Sequence, residues 1–130
     1  MNSIAFLSVE DVLEVHRRVV EEFGGKAGLR DRGLLESAVA MPRSTFGGRE
    51  LHTDLVAKAA AYFFHLCANH PFLDGNKRVA VAAAELFLLI NNHELVAADD
   101  LVEELAIGVA GGEWSKDQVI EFFEAHVEKR

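Results

Sequence analysis

The 130-residue sequence predicts an all-α fold: a compact bundle of about six helices within one domain over residues 1–130. Three observations predict it. Apolar residues recur at three- and four-residue spacing in successive segments, only two prolines interrupt them, and no β-branched alternation of useful length occurs. Half of the residues are hydrophobic, nine of them Phe, which is enough to fill one core and excludes a disordered chain.

Ser8-Val9-Glu10-Asp11 reads as a capping box that opens the first helix, and Gly24-Gly25 closes it. Val12, Leu13, Val15, Val19, Val20 and Phe23 form its apolar stripe, with His16 expected at the surface or a boundary. Asp31 is a plausible N-cap for a second helix through Leu34, Leu35, Ala38 and Val39, which Pro42 stops. Residues 43–52 read as a polar loop with two glycines.

Thr53 or Asp54 then caps a third helix that runs to about Asn69. This helix is apolar nearly all round and therefore belongs in the middle of the bundle. Val79 to Ile90 forms a second buried helix that ends at Asn91-Asn92, and its run of alanines permits close packing. Asp99 or Asp100 starts a fifth helix, broken at Gly108 or at Gly111-Gly112. Ser115 with Gln118 is a further capping box, and the last helix carries Val119, Ile120, Phe122, Phe123 and Val127.

The net charge of −8 and the isoelectric point near 5.2 argue against a sequence-independent grip on nucleic acid. One cysteine, Cys67, excludes an internal disulfide and suits a reducing cytoplasm, and its apolar context marks it as a core thiol. No stretch reads as a signal peptide, and the longest apolar run, broken by Glu85, falls short of the about twenty residues that span a bilayer. A soluble cytoplasmic protein is expected. His65 and His70 are five apart, which does not set them on one helical face as a zinc pair, and no nucleotide-binding Gly-x-x-x-x-Gly-Lys loop occurs.

The chemistry concentrates in His70-Pro71-Phe72-Leu73-Asp74-Gly75-Asn76-Lys77-Arg78, the turn between the two buried helices. A helix N-terminus offers free N–H groups and a positive dipole end, both of which attract phosphate. Lys77 and Arg78 oppose that dipole, a conflict that a bound anion would resolve. His70 is the candidate base, because an imidazole with a pKa of about 6.5 accepts a hydroxyl proton near neutral pH. Asp74 is either a turn residue and cap or a carboxylate ligand for Mg²⁺ beside phosphate oxygens. Gly75 allows close approach of backbone to an anion, and Asn76 either caps the helix or touches substrate.

The string closely resembles the Fic/Doc signature, H-x-F-x-(D/E)-G-N-(G/K)-R, and looks most like its Doc branch of toxin–antitoxin pairs. Arg30 to Val39 is similar to an early helix of Doc-like proteins, so the resemblance covers nearly the whole chain. It implies that His70 is the catalytic base, that Asp74 binds Mg²⁺, and that Gly75, Asn76, Lys77 and Arg78 hold the phosphates of ATP. It also implies that residues 43–52 form a flap over the target segment.

Lys77 stands where AMP-transferring Fic enzymes usually have Gly, and no second Arg follows within Val79 to Val81. In Doc-like members this pattern accompanies transfer of the γ-phosphate to a protein hydroxyl, with elongation factor Tu as the family's type of target. Transfer of AMP or another nucleotide moiety, and a catalytically silent binding module, are the alternatives. No self-inhibiting Ser/Thr-x-x-x-Glu-Gly/Asn stretch is present, so the resemblance implies silencing by a separate antitoxin whose disordered tail folds onto the toxin.

Overall fold

The computed structural model describes residues 3–130 and contains six α-helices among them. They are α1 (Val9–Phe23), α2 (Arg32–Ala40), α3 (Leu55–Asn69), α4 (Asn76–Ile90), α5 (Asp99–Ala110) and α6 (Lys116–His126). The helix starts follow their caps. Ser8 and Ser115 each form a reciprocal capping box, and the Asp31 and Asp54 carboxylates accept the N–H groups of Leu34 and Ala57. The all-α expectation holds.

α3 is the central strut. It packs against α2, α4, α5 and α6, while α1 lies across α4 and α2. Ala59, Ala60, Ala80, Ala83 and Ala84 are fully buried, so the α3 and α4 backbones approach closely, and Tyr62, Phe63, Phe87 and Phe123 fill the space between layers. Cys67 is a core thiol, and burial pushes its pKa up to about 12, which leaves no thiolate near neutral pH. No helix among the described residues is long and apolar enough to cross a membrane.

Two details differ from the sequence expectation, and the ends of α5 settle alternatives it left open. Residues 43–52 are not a plain loop: after a 3₁₀ turn at Met41–Arg43, Thr45–Phe46 (β1) and Arg49–Glu50 (β2) pair as a hairpin with Gly47 and Gly48 at its tip, both at positive φ. Val127 leaves the last helix and opens β4 (Val127–Lys129), which pairs with β3 (His93–Leu95). α5 runs through Gly108, where the Trp114 ring occupies the space a Cβ would need, and Gly111 ends the helix. Ala98 holds the N-cap position of α5, which makes Asp99 the first helical residue.

α3 also carries a charge that its apolar pattern conceals. Lys58 is 1% exposed; its Nζ donates to the His52 carbonyl and lies 3.3 Å from Glu50 Oε1. That contact fastens β2 to the helix, because an unpaired ammonium would not be tolerated at this depth.

His65 lies on the same helix with Nε2 buried and without a partner among the described residues. Burial first, then the nearby charges of Lys116 and His52, lower its pKa to about 4. The folded state thus keeps a neutral imidazole where the unfolded chain takes up a proton below about 6.5. The stabilising effect is complete above that pH and is lost as pH falls toward 4. We expect His65→Leu to lose about 1 kcal/mol less than wild type between pH 7 and pH 5, allowing for partial solvent screening, as read from urea midpoints.

Candidate active site

The signature turn joins the two most buried helices, and each end of it is shaped by backbone that few residues adopt. His70 is the C-cap of α3 at φ 48°, ψ 55°, a left-handed conformation that costs a residue with a Cβ about 1–2 kcal/mol. Gly75 is the N-cap of α4 at φ 79°, which a glycine adopts without strain. Between them the chain is held from inside. Phe72 is buried, and its ring stacks on that of His16, with centroids 3.9 Å apart and planes 7° from parallel.

Asn76 closes the turn on itself. Its Oδ1 accepts the Phe72 N–H at 2.9 Å and its Nδ2 donates to the Phe72 carbonyl at 3.0 Å. The side chain is therefore occupied by the loop, and what Asn76 offers an anion is its backbone N–H. Among the described residues no side chain caps α4, so the N–H groups at its first turn have no partner of that kind there. Lys77 and Arg78 are exposed beside them, and neither has a carboxylate within ion-pair distance among the described residues. The Arg78 guanidinium lies 4.4 Å from the centre of the Phe23 ring on α1.

Asp74 is exposed at the same end. Its Oδ2 accepts the Lys26 N–H at 3.2 Å and its Oδ1 accepts the Gly75 N–H at 2.9 Å. These two bonds, the Lys26 one foremost, outweigh partial desolvation and, with the Lys26 and Arg78 charges, hold the carboxyl below its usual range. It is ionised at neutral pH. One carboxylate suits a divalent cation delivered with phosphates, which brings oxygens of its own; no group of three acidic, His or Cys side chains that could cage a metal occurs among the described residues.

Asp74, Gly75, Asn76, Lys77 and Arg78 line one cleft of about 730 Å³ bounded by α1, α4, β3 and α5. His70 is not on its wall. The imidazole is half-buried at the other end of the turn and takes part in no hydrogen bond among the described residues.

Further residues outside the turn build the site. His16, expected at the surface or a boundary, is 5% exposed, and its Nε2 donates to the Asp74 carbonyl at 2.9 Å. The spacing shows why: Val12, His16 and Val19 fall on one face, so the histidine lies within the apolar stripe itself. The α1–α2 connection runs alongside the turn: Leu73 N–H donates to the Gly28 carbonyl, the Arg30 and Asp31 N–H groups both donate to the Pro71 carbonyl, and Leu29 bridges to Phe72. Lys26 and Arg30 enter the site through this pairing, which no local pattern in the sequence announces. At Gly25, φ is +106° and a Cβ would fall 2.6 Å from Asp74 Oδ2.

A turn of this kind, mounted between two buried helices of a small helical domain, places the chain in the Fic/DOC family, whose family model matches residues 6–88. The chain is 44% identical over 107 residues to Toxin Doc of Mycolicibacterium smegmatis, a match covering 78% of this chain and 80% of that protein. It is 31% identical over 113 residues to Protein kinase doc of Escherichia phage P1, covering 87% and 88% respectively.

Proposed function

We propose that this chain is a Doc-type toxin that transfers the γ-phosphate of ATP to a hydroxyl of a protein target and so arrests translation. The observation that carries the reading is charge placement. Two cations without a carboxylate partner among the described residues, Lys77 and Arg78, stand at the N-terminus of α4 beside the ionised Asp74. This combination is unfavourable in isolation and favourable around a polyphosphate with its cation. The relatives' names, a toxin and a protein kinase, agree with it.

In this reading the target hydroxyl gives its proton to His70 as its oxygen bonds to the γ-phosphorus, and the bond from phosphorus to the ADP oxygen breaks. Asp74 holds Mg²⁺, which when bound neutralises phosphate charge; the α4 N–H groups, Lys77 and Arg78 orient the phosphates. Elongation factor Tu is the target class that family membership suggests, presented beneath the β1–β2 hairpin.

Silencing falls to a cognate antitoxin. The cleft continues from the phosphate end over an apolar floor (Val19, Val81, Ala82, Leu86, Val102) rimmed by Glu22, Glu85, Asp99 and Glu103. Burial and the nearby Asp99 raise the Glu85 carboxyl above its ordinary range. Such a groove suits an amphipathic helix with basic flanks, as a disordered tail would form on docking.

Incubation with bacterial lysate and ATP labelled at either the α- or the γ-phosphate tests the reading. We expect a labelled protein from γ-labelled ATP alone, identified as elongation factor Tu by mass spectrometry. Protein label from the α-position would replace phosphorylation with AMP transfer, and no label from either would leave a binding module.

A further inference from the structure

We propose that Arg30, on the α1–α2 connection, is a positioning residue that sets the backbone of the base His70. This rests on the catalytic reading above and adds to it the group that orients the imidazole.

The guanidinium of Arg30 spans the residue. Its Nε donates to the His70 carbonyl at 2.6 Å and its Nη2 donates to the Asn69 carbonyl at 2.8 Å. The Asn69 carbonyl belongs to the peptide plane before the His70 Cα, and the His70 carbonyl to the plane after it. A rigid planar fork bonded to both planes fixes their relative orientation, and that orientation is the φ,ψ pair of His70. The same residue's N–H donates to the Pro71 carbonyl at 2.8 Å, so one arginine holds three consecutive carbonyls. The clamp has a firm mounting, because Asp31 caps α2 and Asn69 Nδ2 reaches the Leu34 carbonyl of that helix.

Two physical needs converge here. Carbonyls at the C-terminus of α3 lack helical partners, and a cation there is favoured by the dipole. Beyond that, His70 adopts a left-handed conformation that its Cβ opposes and that only surrounding contacts maintain. The direction of the Cα–Cβ bond, and hence the place of the imidazole, follows from those dihedrals. A base misplaced by about 1 Å loses on the order of 100-fold in rate, while the groups at the α4 N-terminus that would hold the phosphates are untouched. Lysine can reach these carbonyls only with one freely rotating ammonium, which leaves the angle between the two planes unset.

Arg30→Met and Arg30→Lys in the full chain test this. Initial rates of label transfer from γ-labelled ATP to the acceptor protein in lysate, at varied ATP, are expected to show kcat reduced about 100-fold in both, with KM for ATP within about twofold of wild type. Backbone and imidazole NMR shifts of His70 report its conformation without any activity; they are expected to leave the left-handed pattern in both variants while the Lys77 and Arg78 amides stay in place. Full kcat in Arg30→Lys, unchanged His70 shifts in Arg30→Met, or a rise in KM matching the fall in kcat would overturn the proposal. Should no phosphoryl transfer be found even in wild type, the functional reading fails on that result, and the NMR shifts still decide the role of Arg30.

Discussion

His70→Ala is expected to abolish phosphoryl transfer and growth arrest while leaving the fold in place. General-base removal costs about 10²–10⁴-fold in rate, so a toxin dose that stops growth in wild type should have no visible effect in the variant. Stability should barely move, for two reasons. The imidazole makes no hydrogen bond to another described group, and alanine meets the same left-handed backbone cost that histidine already bears at φ 48°. The Arg30 clamp acts on carbonyls, which the substitution leaves in place. Thermal midpoints of the two proteins within about 3 °C, together with loss of label from γ-labelled ATP, would match this expectation. Continued growth arrest by the variant would remove His70 from the chemistry.

Phe72→Ala should be the most damaging change to stability, because it strikes the core and the site together. The ring is 2% exposed, and deletion of a buried Phe side chain costs about 3–5 kcal/mol. His16 loses its stacking partner, worth a further about 0.5–1 kcal/mol, and with it the packing that holds its Nε2 on the Asp74 carbonyl. A small domain has about 5–15 kcal/mol in total, so the variant should sit near the edge of folding. Urea denaturation should show the midpoint falling by more than a third with the slope unchanged, and Phe72→Leu should recover over half of the loss. A loss below about 1.5 kcal/mol would mean that the turn is not anchored by this ring.

The helices and their order were legible because the signals that specify them are local. Serine and aspartate caps, glycine ends and a 3.6-residue apolar period act within one segment, and the structure uses Ser8, Asp31, Asp54 and Ser115 as caps. The alanines of α4 announced close packing in the same way. What escaped was set by distant partners. His16 is buried because Phe72 and the Asp74 carbonyl come to it from more than fifty residues away, Val127 leaves its helix because Leu95 offers a strand partner, and Lys58 is admitted to the core by Glu50 and the His52 carbonyl.

The site divides along the same line. The signature turn was visible as a contiguous string, and five of its residues line one cleft. The side-chain use of Asn76 could not be read in advance, since capping and substrate contact both suit an asparagine before a helix; its amide is spent on Phe72. Arg30 and Lys26 carry no spacing relative to the turn that a one-dimensional pattern could detect.

Gly25 and Asp74 share a volume that only one of them can fill, since an oxygen of the carboxylate occupies the place where any side chain at 25 would begin. The two positions are therefore sterically coupled across forty-nine residues. Under the proposed function, alleles that escape growth arrest through Gly25 would mimic those at Asp74, and a survey of escape mutants confined to the signature string would overlook half of that pair.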